Sequence, residues 1–362
     1  MTRFIPGLKL SGLFYKEAVK PILDLQFPQL RYSAALINGG SEVLGFDTPL
    51  SRDHNWGPRL LLFLSKADYR EKQDKISTAL SRRLPTTFHG YSTHFSKPDE
   101  EGVRFRIKVK NGQPINHRVD IFTVESFFQG YLGINPHGDI NGLDWLTLSE
   151  QRLRTIRSGR VFHDALELNK IRKKLNYYPK DVWLYLLACQ WHRIEQQEPS
   201  MARCGDIGDE LGSKILAARL IKDVIFLCFL MEREYTPYSK WLGTAFSRLG
   251  CSRKLTPIIE KVLGSQHWKK GERNLSSLYE KIARMHNSLN ITEPLPTKVS
   301  RFYSRPYLVI HADRFAREIR KKIRSRAIRN IKVDIGSVNQ FSDSTDMLCD
   351  TRLLKKLRTL YK

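Results

Sequence analysis

Between two apolar stretches, Tyr32 to Ile37 and Leu60 to Leu64, the chain carries the run Asn38-Gly39-Gly40-Ser41-Glu42-Val43-Leu44-Gly45-Phe46-Asp47-Thr48-Pro49-Leu50-Ser51-Arg52-Asp53-His54-Asn55-Trp56. This order predicts a strand, a glycine turn, a short helix, and then a strand with an acid at its start. Glycines at a strand end let the backbone approach a phosphate, the free N–H groups of the turn and helix start form an anion cradle, and an aspartate on the next strand can hold a divalent metal. Gly40 would permit the approach, Ser41 would donate its backbone N–H and hydroxyl to a triphosphate, and Asp53 is the strongest catalytic candidate. A further acid, Asp120, sits between Val119 and Ile121. Burying it unpaired would be costly, so it either lines a metal-binding cleft or meets a base such as Arg118 or Arg59.

These residues resemble the signature of the polymerase-β-like nucleotidyltransferase superfamily, in which a Gly-Ser pair is followed by Asp-x-Asp or Asp-x-Glu and a third carboxylate comes from a later strand. The resemblance implies a triad of Asp53, position 55 and Asp120 holding Mg²⁺ or Mn²⁺. More narrowly, Phe4-Ile5-Pro6-Gly7, the Gly-Ser-Glu-Val-Leu-Gly-Phe-Asp run, Asp53 to Arg59 and Pro237 to Gly243 look like a bacterial family that joins a nucleotidyltransferase-like N-terminal half to a helical domain of unknown function. The arrangement is similar, more remotely, to aminoglycoside nucleotidyltransferases. The implied activity is metal-dependent transfer of a nucleoside monophosphate from a nucleoside triphosphate to a hydroxyl acceptor. A small molecule is the first expectation for that acceptor and RNA the second.

Position 55 departs from the pattern, because it is Asn. Residues i and i+2 of a strand share a face, so Asp53 and Asn55 should point together, but an amide oxygen brings no negative charge to hold two metal ions. Three alternatives stand open. Asp47 contributes the missing charge as a metal ligand, the site binds one metal, or the chain is a catalytically degenerate nucleotide- or nucleic-acid-binding protein. Arg59 suits bidentate contact with a phosphate or pairing with an acid. Lys240, beside a proline-serine helix start, could reach a phosphate from the second domain, and His54 should face away from Asp53 and is read as structural.

The net charge of +24 is uneven: from Arg314 to Lys332 nine bases are opposed by Glu318 alone. Such a field attracts polyanions, so nucleic acid is a candidate partner, although a solvated helix face explains it as well. The five cysteines are scattered, without a C-x-x-C pair, which argues against a disulfide framework or structural zinc. No apolar run approaches the roughly 18 residues of a membrane span, and Lys9, Lys16 and Glu17 interrupt the N-terminal apolar residues, so the expectation is a cytoplasmic protein.

Three regions follow: residues 1–138 as a nucleotidyltransferase-like domain with a lead-in helix, 139–296 as a helical bundle, and 297–362 as a basic C-terminal region. The fold class expected is α+β, a small mixed sheet followed by an α-helical domain. Within the first region, residues 8–25 read as one lead-in helix that Pro21 can kink, and Ser65-Lys66-Ala67-Asp68 opens a helix that Pro85 closes. Val103–Val109 and Val119–Val124 read as a hairpin about Asn111-Gly112. Helices are expected over 145–157, 161–175, 180–197, 206–234, 238–249, 254–263 and 273–289, with Asp206 and Glu210 on one helix face and 334–346 as an ordered loop.

Overall fold

The computed structural model describes residues 3–109 and 112–362, and the chain divides into two compact units. The first comprises 1–139 with 152–176, the second 140–151 with 177–362, so the basic region 297–362 belongs to the second. The class is mixed α+β, and among the described residues no helix is long and apolar enough to cross a membrane.

The first unit opens with helices α1 (Gly7–Phe14) and α2 (Lys20–Gln26), joined by a π-helical turn over Tyr15–Val19. Tyr15, Val19 and Lys20 at the joins have right-handed helical dihedrals, so the helix runs on through Pro21, and the π-helical turn ahead of it accommodates the missing N–H and the ring. Strands β1 (Tyr32–Leu36) and β2 (Arg59–Leu64) follow, every residue buried. Helix α3 (Lys66–Arg83) is capped as expected, with Ser65 Oγ accepting the Asp68 N–H at 3.0 Å, and it stops at Leu84, which is extended because Pro85 follows. After the short ribbon β3 (Thr87–Phe88) and β4 (Tyr91–Ser92) come β5 (Arg118–Thr123) and helix α4 (Val124–Leu132).

The main sheet runs β5-β2-β1-β6, where β6 is Arg160–Asp164. β1 pairs antiparallel with both β2 and β6, whereas β2 and β5 are parallel with Leu61 opposite Asp120. The two central strands are covered on both faces, which is why they read as continuous apolar runs. Helices α1 to α3 pack one face through Leu10, Phe14, Leu23, Ile76 and Leu80; on the other, Phe63 meets Phe127 of α4 edge-on.

Two expectations are corrected. Residues 161–175 are not one helix: 160–164 complete the sheet, and Asp164 turns the chain by accepting the Leu168 and Asn169 N–H groups, leaving only Leu168–Lys174 helical. Residues 103–109 do not pair with 119–124 and form one bridge, Phe95 to Arg106, because their backbone is taken elsewhere: the Phe105 C=O and Ile107 N–H bond to Ser96 and His94, and Asn55 takes both the N–H and the C=O of Arg104. Asn111 of the expected turn lies outside the described residues.

The second unit is mainly helical. Its central helix, Lys180–Glu195, is buried on nearly every side and packs against Glu210–Met231 and Asp313–Arg320. The expected 206–234 helix is broken at Gly208, where φ is +85°, so Asp206 and Glu210 lie on different helices. Asp206 accepts the Tyr307 hydroxyl and Glu210 the Trp268 N–H. Strand structure also recurs beyond 145, as the hairpin Ser300–Phe302 with Arg305–Val309.

Candidate functional site

The segment between β1 and β2 is built around one buried ion pair. Arg59, the first residue of β2, and Glu42 are each about 4% exposed, and the Arg59 Nε donates to Glu42 Oε1 at 2.8 Å. The same guanidinium donates to Asn38 Oδ1 at 3.1 Å and to the Gly39 carbonyl at 2.6 Å. A planar fork with three fixed acceptors holds the whole glycine turn from beneath. Gly40, at φ +144°, cannot be replaced without strain: a Cβ there would lie 2.5 Å from Glu42 and 2.6 Å from Arg59. Among the described residues, the N–H groups of Gly39, Gly40 and Ser41 donate to no protein acceptor, whereas the Ser41 carbonyl accepts from Phe46 and the Glu42 carbonyl from Gly45. Arg59 is thus the support of the turn and not a free arm; its sequence reading left both uses open.

Asp47 is also committed. Its Oδ2 accepts the Gly7 N–H at 2.7 Å and the Trp56 Nε1–H at 3.0 Å, stapling the N-terminal helix to the segment that leads into β2. The expectation that Asp53 starts a strand is corrected: Asp53 closes a 3₁₀ turn over Pro49–Arg52, with helical dihedrals, and β2 begins only at Arg59. The pairing of faces between positions 53 and 55 therefore does not arise. Asn55 has a left-handed backbone, φ +50°, and its Oδ1 accepts the Arg104 N–H and an Arg118 Nη1. Asp53 is exposed, and its carboxyl accepts from the His54 ring at 2.8 Å, a hydrogen bond that holds it below the usual carboxylate range. His54 is thus the partner of Asp53 rather than a side chain turned from it.

Asp120, on β5, is 32% exposed and meets Arg118 at 3.6 Å. Burial lowers the Arg118 pKa and Asp120 opposes that shift. Among the described residues no group of three or more His, Cys, Asp or Glu side chains could hold a metal ion, so Asp53, Asp120 and Asp47 do not assemble as the resemblance implies. The donor set does not fit a two-metal centre: one carboxylate is spent on backbone and indole donors, one position is an amide, and the remaining two are each paired with a base.

Lys240 belongs to the second unit, its ammonium 5.2 Å from the Trp241 ring. In the basic region, four of the nine bases are engaged. Arg314 donates to the Ile310 carbonyl, Arg317 pairs with Asp313, Arg320 with Asp334 and Lys321 with Glu318. The residues Lys322, Arg324, Arg326, Arg329 and Lys332 are exposed, and their charged side chains have no protein partner among the described residues. Phe315 is no stacking platform for a base, since it is fully buried against Trp191 at 4.2 Å.

Sequence reasoning passed over Glu42 and Asn38. The signal was present: an arginine opening an apolar strand needs a buried acid, and Glu42 is the acid within the glycine run.

The model of a domain of unknown function, DUF4037, matches residues 145–242. Neither the curated proteins nor the solved structures yield a match to this chain.

Proposed function

We propose that the first unit binds the phosphate groups of a nucleoside triphosphate on the Asn38–Glu42 turn, on a sheet of nucleotidyltransferase-like type, and that the chain is a nucleotide-binding protein. One observation carries the reading: three consecutive N–H groups without acceptors, held rigid by the buried Arg59–Glu42 pair. Successive backbone donors left open on one fixed turn favour an anion. The order of the parts supports it, with the turn directly after a buried strand and an acid on the parallel neighbour of the next. Transfer of the nucleotide to a hydroxyl acceptor would fall to Asp53 and Asp120, the two carboxylates that remain once Asp47 is taken by Gly7 and Trp56. With Asp47 stapled and Asn55 uncharged, those two alone would have to hold Mg²⁺ or Mn²⁺, a demand that binding does not make.

Calorimetry with ATP and with inorganic triphosphate, each with Mg²⁺ and with EDTA, tests the proposal. Binding should survive EDTA in part, be reproduced by inorganic triphosphate, and be lost in Gly40→Ala. Binding unchanged in Gly40→Ala overturns it. Binding that needs Mg²⁺ and disappears in Asp53→Ala, with pyrophosphate released, replaces it by the transferase reading. The second observation with a functional direction is the group of five uncommitted bases, which favours an additional nucleic-acid contact in the second unit.

A further inference from the structure

Strand β5 is an edge of the main sheet, and an edge strand presents alternate peptide groups without a ladder partner. Those of the odd-numbered residues point away from β2. The Val119 N–H donates to His117 Nδ1 at 3.2 Å and the Thr123 N–H to Ser126 Oγ at 3.0 Å, in place of ladder bonds. The Thr123 carbonyl is occupied too, by the Ser126 hydroxyl. Both ends of the edge are therefore capped by side chains. Ile121 lies between the caps with the same alternation as Val119 and Thr123, so its N–H and C=O face the open edge, and among the described residues no side chain bonds to either.

Val119 and Ile121 line a cavity of about 490 Å³ between this edge and helix α3. Gln73, Ser77 and Ser81 form the helical wall, four residues apart on one face, with Asp74 beside them. The far end is closed where Ile115 and Ser81 exchange two hydrogen bonds, at 2.9 and 2.7 Å. His117 adds no charge: its Nδ1 accepts from Val119, its Nε2 donates to the Ser77 carbonyl at 3.1 Å, and burial lowers its pKa. The formal charges of the lining are then Asp74 and Asp120, with no Lys or Arg among the residues that form it, on a chain of net charge +24. Asp120 is partly balanced by Arg118; Asp74 is exposed and has no partner among the described residues.

We infer that this groove takes an extended peptide of basic character, which adds a short strand to β5 at Ile121 and sets a Lys or Arg side chain against Asp74. An open N–H and C=O of one residue are the pair that another extended backbone satisfies at once, and a helix beside a sheet edge gives alternate side chains of the added strand a wall to meet. The acidic lining selects basic side chains and disfavours acidic ones, because an unpaired carboxylate in the groove would face Asp74. The caps at Val119 and Thr123 restrict the ladder to about one residue and its neighbours, so the contact is weak and transient. It is independent of the phosphate-binding reading.

The test uses the full chain and the blocked peptide acetyl-Lys-Val-Lys-Val-Lys-amide, followed by amide NMR shifts and by titration. The expected result is saturable shifts centred on Ile121, no binding of the Glu-for-Lys peptide, and about tenfold weaker binding by Asp74→Lys, a change at an exposed position that leaves the fold intact. Two peptides N-methylated on alternate amides separate backbone pairing from charge. One set of amides faces β5, so one peptide should lose about fivefold or more while the other keeps its affinity. Equal affinity of both methylated peptides, displacement by spermine at the same resonances with matching affinity, or no shift at Ile121 would each overturn the inference.

Discussion

Glu42→Ala is the sharpest perturbation of the glycine turn. Arg59 is about 4% exposed, so removing its carboxylate leaves a guanidinium buried with two neutral acceptors, Asn38 Oδ1 and the Gly39 carbonyl. Breaking a buried pair from one side costs about 3–5 kcal/mol, most of it the penalty of an uncompensated charge. Because Arg59 begins β2, the loss falls on the sheet of the first unit. Two units need not unfold together, so a single melting curve would blur the effect. Hydrogen exchange of peptides covering β1 and β2 isolates it. A loss of 3–5 kcal/mol raises the exchange of their slowest amides by roughly 10² to several times 10³. The double variant Glu42→Met with Arg59→Met should recover most of that protection, because an apolar pair of similar volume does without both the charge and its desolvation. Nucleotide binding should not recover with it, since the Gly39 carbonyl loses its donor. A Glu42→Ala effect below about 1 kcal/mol, or a double variant that sums the two single losses, would refute the account of the pair as the clamp of the turn.

Gly7→Ala should destabilise the first unit by about 1–3 kcal/mol, because the added Cβ would lie 2.6 Å from Trp56 Nε1 and 2.7 Å from Glu42 Cβ; the same exchange experiment reads it. Glu198, which accepts the Ile310 and Ala312 N–H groups, has its pKa pushed up by burial to about 7 from an ordinary 4.5. The folded state then holds the extra proton between those values, so its contribution falls as pH rises from about 4.5 to 7. Glu198→Gln should remove that fall, seen as a flatter dependence of the urea midpoint on pH. His286, fully buried and pushed down to about 4 by burial, acts in the opposite sense: its stabilisation is complete above the unfolded pKa of about 6.5 and is lost as pH falls through about 4, and His286→Phe should abolish that acid limb. If the basic region contacts nucleic acid, only its five uncommitted bases count, so the slope of log affinity against log salt should reach about 3.5 to 4.5 from this region, and neutralising Lys322, Arg324, Arg326 and Arg329 should remove most of it.

Local chemistry alone determined several elements. The apolar runs that became β1 and β2, the Ser65 cap and Pro85 stop of α3, and the helices Lys180–Glu195, Ser252–Leu263 and Trp268–Ser288 were legible, because periodicity, caps and proline act over a few residues; the short helices beyond 312, among them Val338–Phe341 within the expected loop 334–346, were not. The glycine at position 40 was legible for the same reason, since its left-handed backbone is a property of the turn itself. Tertiary structure decided what those segments do with their charges. Whether Asp47 meets a metal or the N–H of Gly7 depends on forty residues of intervening chain folding back. Whether Arg59 serves a ligand or Glu42 depends on the curvature of the turn, and Asp53 left the strand because β2 starts only where its ladder to β1 and β5 begins. Residues 160–164 carry a helix-compatible pattern and became a strand because β1 had an open edge to fill. A side chain's type states which bonds it can make, but burial and long-range pairing choose among them, and that choice has no period in the sequence to reveal it.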